Sequence, residues 1–559
     1  MAAVALLSLG TLGAGCTAST QRATPPRQRL VVAPAVAPAR VVRPPNILVI
    51  TADDMRADDL RWMPRTRRLI GGTGLQFRNS FAPNPLCCPS RASFLSGEYS
   101  HNHRVLTNEK PYGFHAFDDS QTIATALRHA GYRTALVGKY LNGYGSERTH
   151  AGHHPSLHYI PPGWSQWYVS TEHRWPAGEG PGGGTYHYFH LTENVNGEIR
   201  SYPGRYTTDV TSAQTRDLVQ RFGAAATPKP WFIWWTPLAP HVGLPDEPDD
   251  PGTIRSPSGH LVVWGTPARP TWVKHRFDSA ITHGAGTPPG HPAERDVSDK
   301  PHYLRFAPPL SKREKGAERS LTRQRAEALY ILDRRIADTL RTIRDTGQAR
   351  RTIVVFTSDN GYYLGEHRKR QGKTTLHEPS IRVPLLMTGP HIPHGLRYDP
   401  ATGVDLPVTI AGWASASLPN ADGTDLRRTI ARGDTGWRRP IVLEGLMDEY
   451  RYRHGTHWAA VMRGLDTVGI RTGRWKFVRY STGEWELYDL RDDPLELHSL
   501  RGLRTPEIQT ALERAWRSYA VCSGTACRMP LPRILQTGPR QTRRIARHQE
   551  RERQRYFRY

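Results

Sequence analysis

Residues 46–54 read NILVITADD. The apolar, β-branched run at 46–50 carries no charge, the signature of a strand buried on both faces, as in a parallel sheet. Two aspartates, Asp53 and Asp54, follow it at once. Two more runs have the same texture: WFIWW (231–235) and TIVVF (352–356), the second followed closely by Asp359 and Asn360. A helix is expected at 121–129 and a strand at 134–137. The stretch 320–344 places Leu329, Leu332, Ile336 and Leu340 on one helical face. Strands alternating with helices predict an α/β fold with a large, mostly parallel central sheet. In such sheets functional groups gather beyond the carboxyl ends of the strands. From about residue 436 short strands (PIVLE, GIRTGRWKFVRY, EWELYDL) predict a smaller antiparallel subdomain.

Either acidic pair alone is most simply a turn or a helix cap. Together, each after a buried strand, Asp53, Asp54, Asp359 and Asn360 offer three carboxylates and an amide oxygen. That set suits a hard cation, calcium or magnesium.

The chain has 559 residues, enough for a large α/β core and a second unit. It carries 76 Lys+Arg against 51 Asp+Glu, a formal charge of +25. Such a surplus attracts polyanions, or reflects an Arg-rich proteome. No DNA- or RNA-binding signature is present, so nucleic acid is not an expected partner. Five cysteines, Cys16, Cys87, Cys88, Cys522 and Cys527, do not make a disulfide scaffold. Cys522 and Cys527 are close enough to close a local loop in an exported protein. MAAVALLSLGTLGAGC, at 1–16, is apolar but too short to span a bilayer. It resembles a secretory signal, and Gly15 with Cys16 resembles a lipoprotein junction, so an exported protein with a lipid anchor at Cys16 is one expectation. The resulting division is a signal at 1–20, a Pro/Ala/Arg-rich tether at 21–45, a catalytic domain at 46–435, a subdomain at 436–532 and a basic tail at 533–559. The tail is expected to be disordered or loosely helical and to bind acidic surfaces. Residues 242–310, dense in Pro, Gly and His, read as an irregular insertion near the site.

The sharpest motif is PLCCPSRASFLSGEYSHNH at 85–103. Cys87, Pro89, Ser90 and Arg91 fit C-x-P-S-R. A helix starting near Ser90 and stopping at Gly97 puts Cys87 at a helix N-terminus beside Arg91, a place that favours anions.

With these residues in view, the sequence resembles the sulfatase family of the alkaline-phosphatase superfamily, most of all its N-acetylglucosamine-6-sulfatase and glycosaminoglycan sulfatase branch. CCPSRASFLSG, GKYLNGYG, PPGWSQWY, TPLAPH, TSDNGYYLGEH and ELYDLRDDPLE follow the family's order between about residues 46 and 500. The resemblance implies an alkaline-phosphatase-like fold and oxidation of Cys87 to formylglycine by a maturase, with Cys88 at the motif's variable position. It implies one calcium ion held by Asp53, Asp54, Asp359, Asn360 and residue 87. It assigns Arg91 to holding the formylglycine, Lys139 to the formylglycine and sulfate, Lys373 to the sulfate, and His241 to the leaving oxygen. Many arylsulfatases carry a histidine where this chain has Leu141, which leaves Asn142 as a further polar contact. His101 and His103 are candidates either for the pocket or for structure. The expected activity is hydrolysis of a sulfate monoester, at the 6-O position of amino sugars or sulfated glycans. The alternatives are a phosphonate or phosphodiester hydrolase of the same superfamily, and a non-catalytic, tethered polyanion-binding protein.

Overall fold

The computed structural model describes residues 44–150, 152–175, 180–227, 229–290, 294–445, 465–500 and 506–556. The expected signal, Cys16 and nearly all of the tether lie outside these residues.

A ten-stranded sheet organises the molecule. Its strands are β1 (Asn46–Ala52), β2 (Leu75–Phe77), β3 (Arg133–Gly138), β4 (Gln166–Ser170), β5 (His190–Val195), β6 (Glu198–Pro203), β7 (Trp231–Thr236), β8 (Thr352–Ser358), β9 (Leu385–Thr388) and β10 (Gly395–Arg397). Their order across the sheet is β10-β2-β9-β8-β1-β7-β3-β4-β5-β6. The five central strands, β8 to β4, run parallel. They are the apolar runs of the sequence, and alternate residues feed opposite cores. Ile47, Val49 and Trp234 enter one core; Leu48, Ile50 and Trp235 enter the other. Each such side chain, fully withdrawn from water, contributes about 1.5–3 kcal/mol.

Helices cover both faces. On one side lie α1 (Cys87–Ser96), α2 (Ile123–His129) and α5 (Asp405–Trp413); on the other, α3 (Thr207–Gly223) and α4 (Lys312–Asp345). The helix foreseen from Ser90 begins three residues earlier, at Cys87, and ends where expected, at Gly97 with a left-handed φ of 81°. A side chain at Gly97 would meet Ala421 Cβ at 2.7 Å, so glycine is needed there twice over.

The C-terminal sheet is antiparallel, as expected: β11 (Ile441–Gly445), β12 (Thr467–Arg471), β13 (Trp475–Tyr480) and β14 (Trp485–Asp489). Helix α6 (Pro506–Tyr519) closes its core, with Trp516 Nε1 donating to Val468 O at 2.9 Å. Cys522 and Cys527 form a disulfide in the same core.

The tail is a correction. It is helical, as one of the two expectations had it, but not loosely so: α7 (Pro539–Tyr556) is docked. Thr542, Ile545, Ala546, Gln549 and Tyr556 form its buried stripe. Gln549 Nε2 donates to Leu490 O at 3.0 Å, and Tyr556 Oη to Gly286 O at 3.2 Å. The small apolar stripe was hidden by the arginines between its members. The insertion at 242–310 also holds a short hairpin (Gly252–Arg255 with Leu261–Trp264). Buried Arg269 ties the insertion to α4 through Glu327, at 2.9 Å.

Candidate active site

Strands β1 and β8 are in register from Asn46↔Thr352 to Ala52↔Ser358. Leaving the sheet together, they bring Asp53 and Asp54 beside Asp359 and Asn360. Asp54 adopts a left-handed φ of 63°, which aspartate tolerates better than most residues. Its N–H donates to Asp359 Oδ1 at 3.1 Å. Strand β3 ends at Gly138, whose absent Cβ would lie 2.3 Å from Thr236 O. That close approach to β7 sets Lys139 next to Asp53.

The motif helix α1 points its first residue into this group. Cys87 is 1% exposed. Its Sγ lies 3.3 Å from Asp53 Oδ1, 3.7 Å from Asp54 Oδ1 and 2.7 Å from Lys373 Nζ. Lys139 Nζ donates to Asp53 Oδ2 at 2.8 Å. Lys373 pairs with Asp54. Arg91, one turn along α1, reaches Asp359 Oδ2 at 2.8 Å, the carbonyl of Lys139 at 2.8 Å and Asp53 at 3.7 Å. His241 completes the group, its Nε2 being 3.5 Å from Asp54 Oδ2. Its Nδ1 carries a proton, because it donates to Val242 O at 2.6 Å; in the neutral ring Nε2 is therefore the free acceptor. Side-chain exposure of 11% for Lys373 and 13% for His241 marks them as the solvent side of the site.

Charge balance fixes protonation here. Burial pushes Asp53 up, but Lys139, His241, Arg91 and Lys373 together hold it well below the usual carboxylate value. Asp54 is lowered too, with Lys373 and His241 outweighing its burial. Asp359 is raised: burial dominates and Arg91 offsets only part of it. Burial also pushes the Cys87 thiol well up, reinforced by Asp53, and pushes His241 down.

The expected cation ligands are adjacent but not equivalent. Asp53, Asp54, Cys87 and His241 each offer a ligand atom within 4.8 Å of the others. Asp359 stands outside that set because its oxygens face Arg91 and the N–H groups of Asp54 and Asn360. Asn360 donates through Nδ2 to Asp54, while its buried Oδ1 has no hydrogen-bond partner among the described residues. An orphaned amide oxygen among three buried carboxylates fits a hard cation.

His101 and His103 take structural roles. His101 is held by Glu444 and the carbonyl of Cys522, and His103 by Ser93 at 2.9 Å. Sequence reasoning passed over Arg325, which donates to Asp54 O at 2.6 Å and Asp59 at 3.1 Å. A signal existed: Arg325 lies four residues before Leu329, on the apolar stripe of α4, where an arginine needs a buried partner. Tyr186 was also missed. Lys139 sits 4.9 Å over its ring, and its hydroxyl accepts from Asn142 at 2.5 Å.

Two buried cations, Arg91 and Lys139, and the partly buried Lys373 gathered around residue 87, with a histidine on the solvent side, suit a site for an anionic ester. The comparisons agree. The family model described as "Sulfatase" matches residues 45–416, and "N-sulphoglucosamine sulphohydrolase, C-terminal" matches 365–518. The chain belongs to the sulfatase family and is an enzyme of that class. It is 28% identical to an arylsulfatase of Chlamydomonas reinhardtii, over 90% of this chain and 78% of the relative. It is 26% identical to the N-acetylglucosamine-6-sulfatase of Capra hircus, over 91% of each. A protein solved in complex with its substrate D-glucosamine-2-N,6-O-disulfate shares the fold, with a TM-score of 0.61 at 20% identity, over 84% of this chain and 96% of that one.

Proposed function

We propose that the protein is a calcium-dependent, formylglycine-dependent hydrolase of sulfate monoesters, acting on 6-O-sulfate of amino sugars or sulfated glycans. The observation that carries this reading is the gathering of Lys139, Lys373 and Arg91 around Asp53, Asp54 and Cys87, with His241 beside Asp54 on the solvent side. When in place, the calcium ion and the hydrated formylglycine supply charge neutralisation and a hydroxyl nucleophile for sulfur. Asp53, Asp54 and Asn360 Oδ1, with Asp359 beside them, would hold the ion.

The chain's own residues account for the rest. Lys139 and Lys373, held in place by Asp53 and Asp54, bind the sulfate oxygens and stabilise the charge that grows on them in the transition state. Arg91 fixes Asp359 and Asp53 beside residue 87. His241 Nε2, the free acceptor of the neutral ring, collects a proton beside Asp54 and delivers it to the leaving alkoxide. A maturase acting on Cys87 is part of the proposal. So is export, supported by the Cys522–Cys527 disulfide, which persists in oxidising surroundings.

Two measurements test the reading. The tryptic peptide spanning 79–91 should carry the mass of an aldehyde in place of the Cys87 thiol. Sulfate release from defined sulfated sugars should exceed release from matched phosphonate and phosphodiester substrates. An unmodified peptide in fully active enzyme, or a preference for phosphonates, would overturn it.

A further inference from the structure

Helix α7 carries seven arginines and two glutamates. Its docking fixes them in space, and a groove of about 450 Å³ opens along its side. The other walls are the turn at 57–61, Arg67, strand β2, second from the sheet edge, and the segment 382–384. Five arginines line this groove: Arg61, Arg67, Arg78, Arg382 and Arg553. Among the described residues the lining carboxylates are Asp58 and Glu550, and Glu378 pairs with Arg382.

The two lining acids are already engaged. Glu550 pairs with Arg78 at 2.7 Å, and Asp58 lies 3.9 Å from Arg553. Arg553 is 11% exposed, and its Nε and Nη1 have no hydrogen-bond partner among the described residues. Burial, with Arg382 beside it, pushes this guanidinium down to about 10, the mark of a cation short of counter-charge. The basic surface also continues past the groove. Arg543, Arg547, Glu550 and Gln554 follow one another at three- and four-residue steps, so they share one face of α7. Arg543 and Arg547 lie over Tyr398, at 5.5 and 5.8 Å from its ring.

We propose that this groove and the Arg543–Arg547 face of α7 form an exosite that binds a sulfated polysaccharide outside the catalytic centre. The proposal rests on the sulfatase reading for the identity of the polyanion. Guanidinium groups suit sulfate because their planar fork presents paired N–H donors. The groove has the volume of an ordinary ligand site, enough for a sugar unit. Neighbouring sulfates of a polymer can then engage Arg543 and Arg547, and linked contacts raise the local concentration of ester groups around the enzyme.

The test uses the full chain with Arg67→Gln, Arg543→Gln and Arg547→Gln combined; Arg67 and the two helix arginines are exposed, so the fold is kept. Affinity for heparin and kcat/KM on a sulfated polymer should each fall about tenfold at low salt and converge with wild type at high salt. kcat/KM on a small aryl sulfate should not change. Unaltered heparin affinity in the variant overturns the exosite. So does a DNA duplex that displaces heparin while polymer turnover stays as it was, since the surface would then serve nucleic acid. Binding is read apart from turnover, so weaker heparin binding by the variant supports the exosite even if no sulfate ester is hydrolysed. That last result would sink the catalytic reading alone.

Discussion

Cys88 lies next to Cys87, yet its Sγ faces the carbonyl of Asn142 at 3.8 Å, and its thiol is buried in the core beneath α1. The two should therefore respond differently to replacement. Cys87→Ala is expected to lower sulfate-ester turnover by about 10³-fold or more, the scale on which loss of a nucleophile is felt. Cys88→Ala should keep most of it, and equal loss in both would place the chemistry elsewhere. A second residue governs stability. Glu193 on β5 is fully buried beside Gln214, and burial pushes its carboxyl from 4.5 up to about 7. The folded state thus keeps a proton that the unfolded chain has lost between those values. Stability must fall as pH rises through that window, by up to ~1.4 kcal/mol per pH unit from this group. In Glu193→Gln the slope between pH 4.5 and 7 should flatten, as read from denaturant unfolding at a series of pH values. An unchanged slope would mean that Glu193 ionises normally. Residues that follow a buried strand, such as Asp53 and Asp359, were legible in the sequence because the strand announces them. Tyr186 was not, because its partners lie across the fold, and Arg325 showed only its place on the apolar stripe of α4, not the partner it would find.

Elements follow the same logic. Strands β1, β7 and β8 could be read because both their faces are buried and every residue but Asn46 and Ser358 is apolar or β-branched. The outer strands β2 and β10 are three residues long, and β6 alternates exposed with half-buried residues, so none of them stands out from loop sequence. Helix α7 was misjudged because charge dominates its composition while its contacts come from one narrow stripe. Those contacts reach far. Gln549 Oε1 accepts from Arg382 at 3.4 Å and Arg471 at 3.3 Å, and Arg471 also pairs with Glu378. Truncation after Gly538 would expose Ile545 and Tyr556 contacts and leave buried guanidinium groups short of an acceptor. It is expected to cost about 3 kcal/mol or more, seen as a lower Tm in calorimetry. An unaltered Tm would show that the helix is an appendage.

Across the whole molecule, the site draws on residues from Asp53 to Lys373, in segments that only the completed sheet brings together. The cation proposed for this site would bind the folded chain alone. Added calcium should therefore raise the Tm of chelator-treated protein, by a free energy of about 2.7 kcal/mol at a hundredfold excess over Kd. Asp54→Ala should lose that shift; a shift that survives the substitution would place the ion elsewhere. The burial of Cys87 has a consequence in time. Its sulfur is sealed by Asp53, which leaves the sheet together with β8, and by Lys373, which lies beyond it. During synthesis, 286 residues separate Cys87 from Lys373. Any enzyme that alters this cysteine meets it freely only while those later residues are still missing from the fold. If a maturase acts on Cys87 as proposed, modification and closure compete, and the outcome is set once in the life of each molecule.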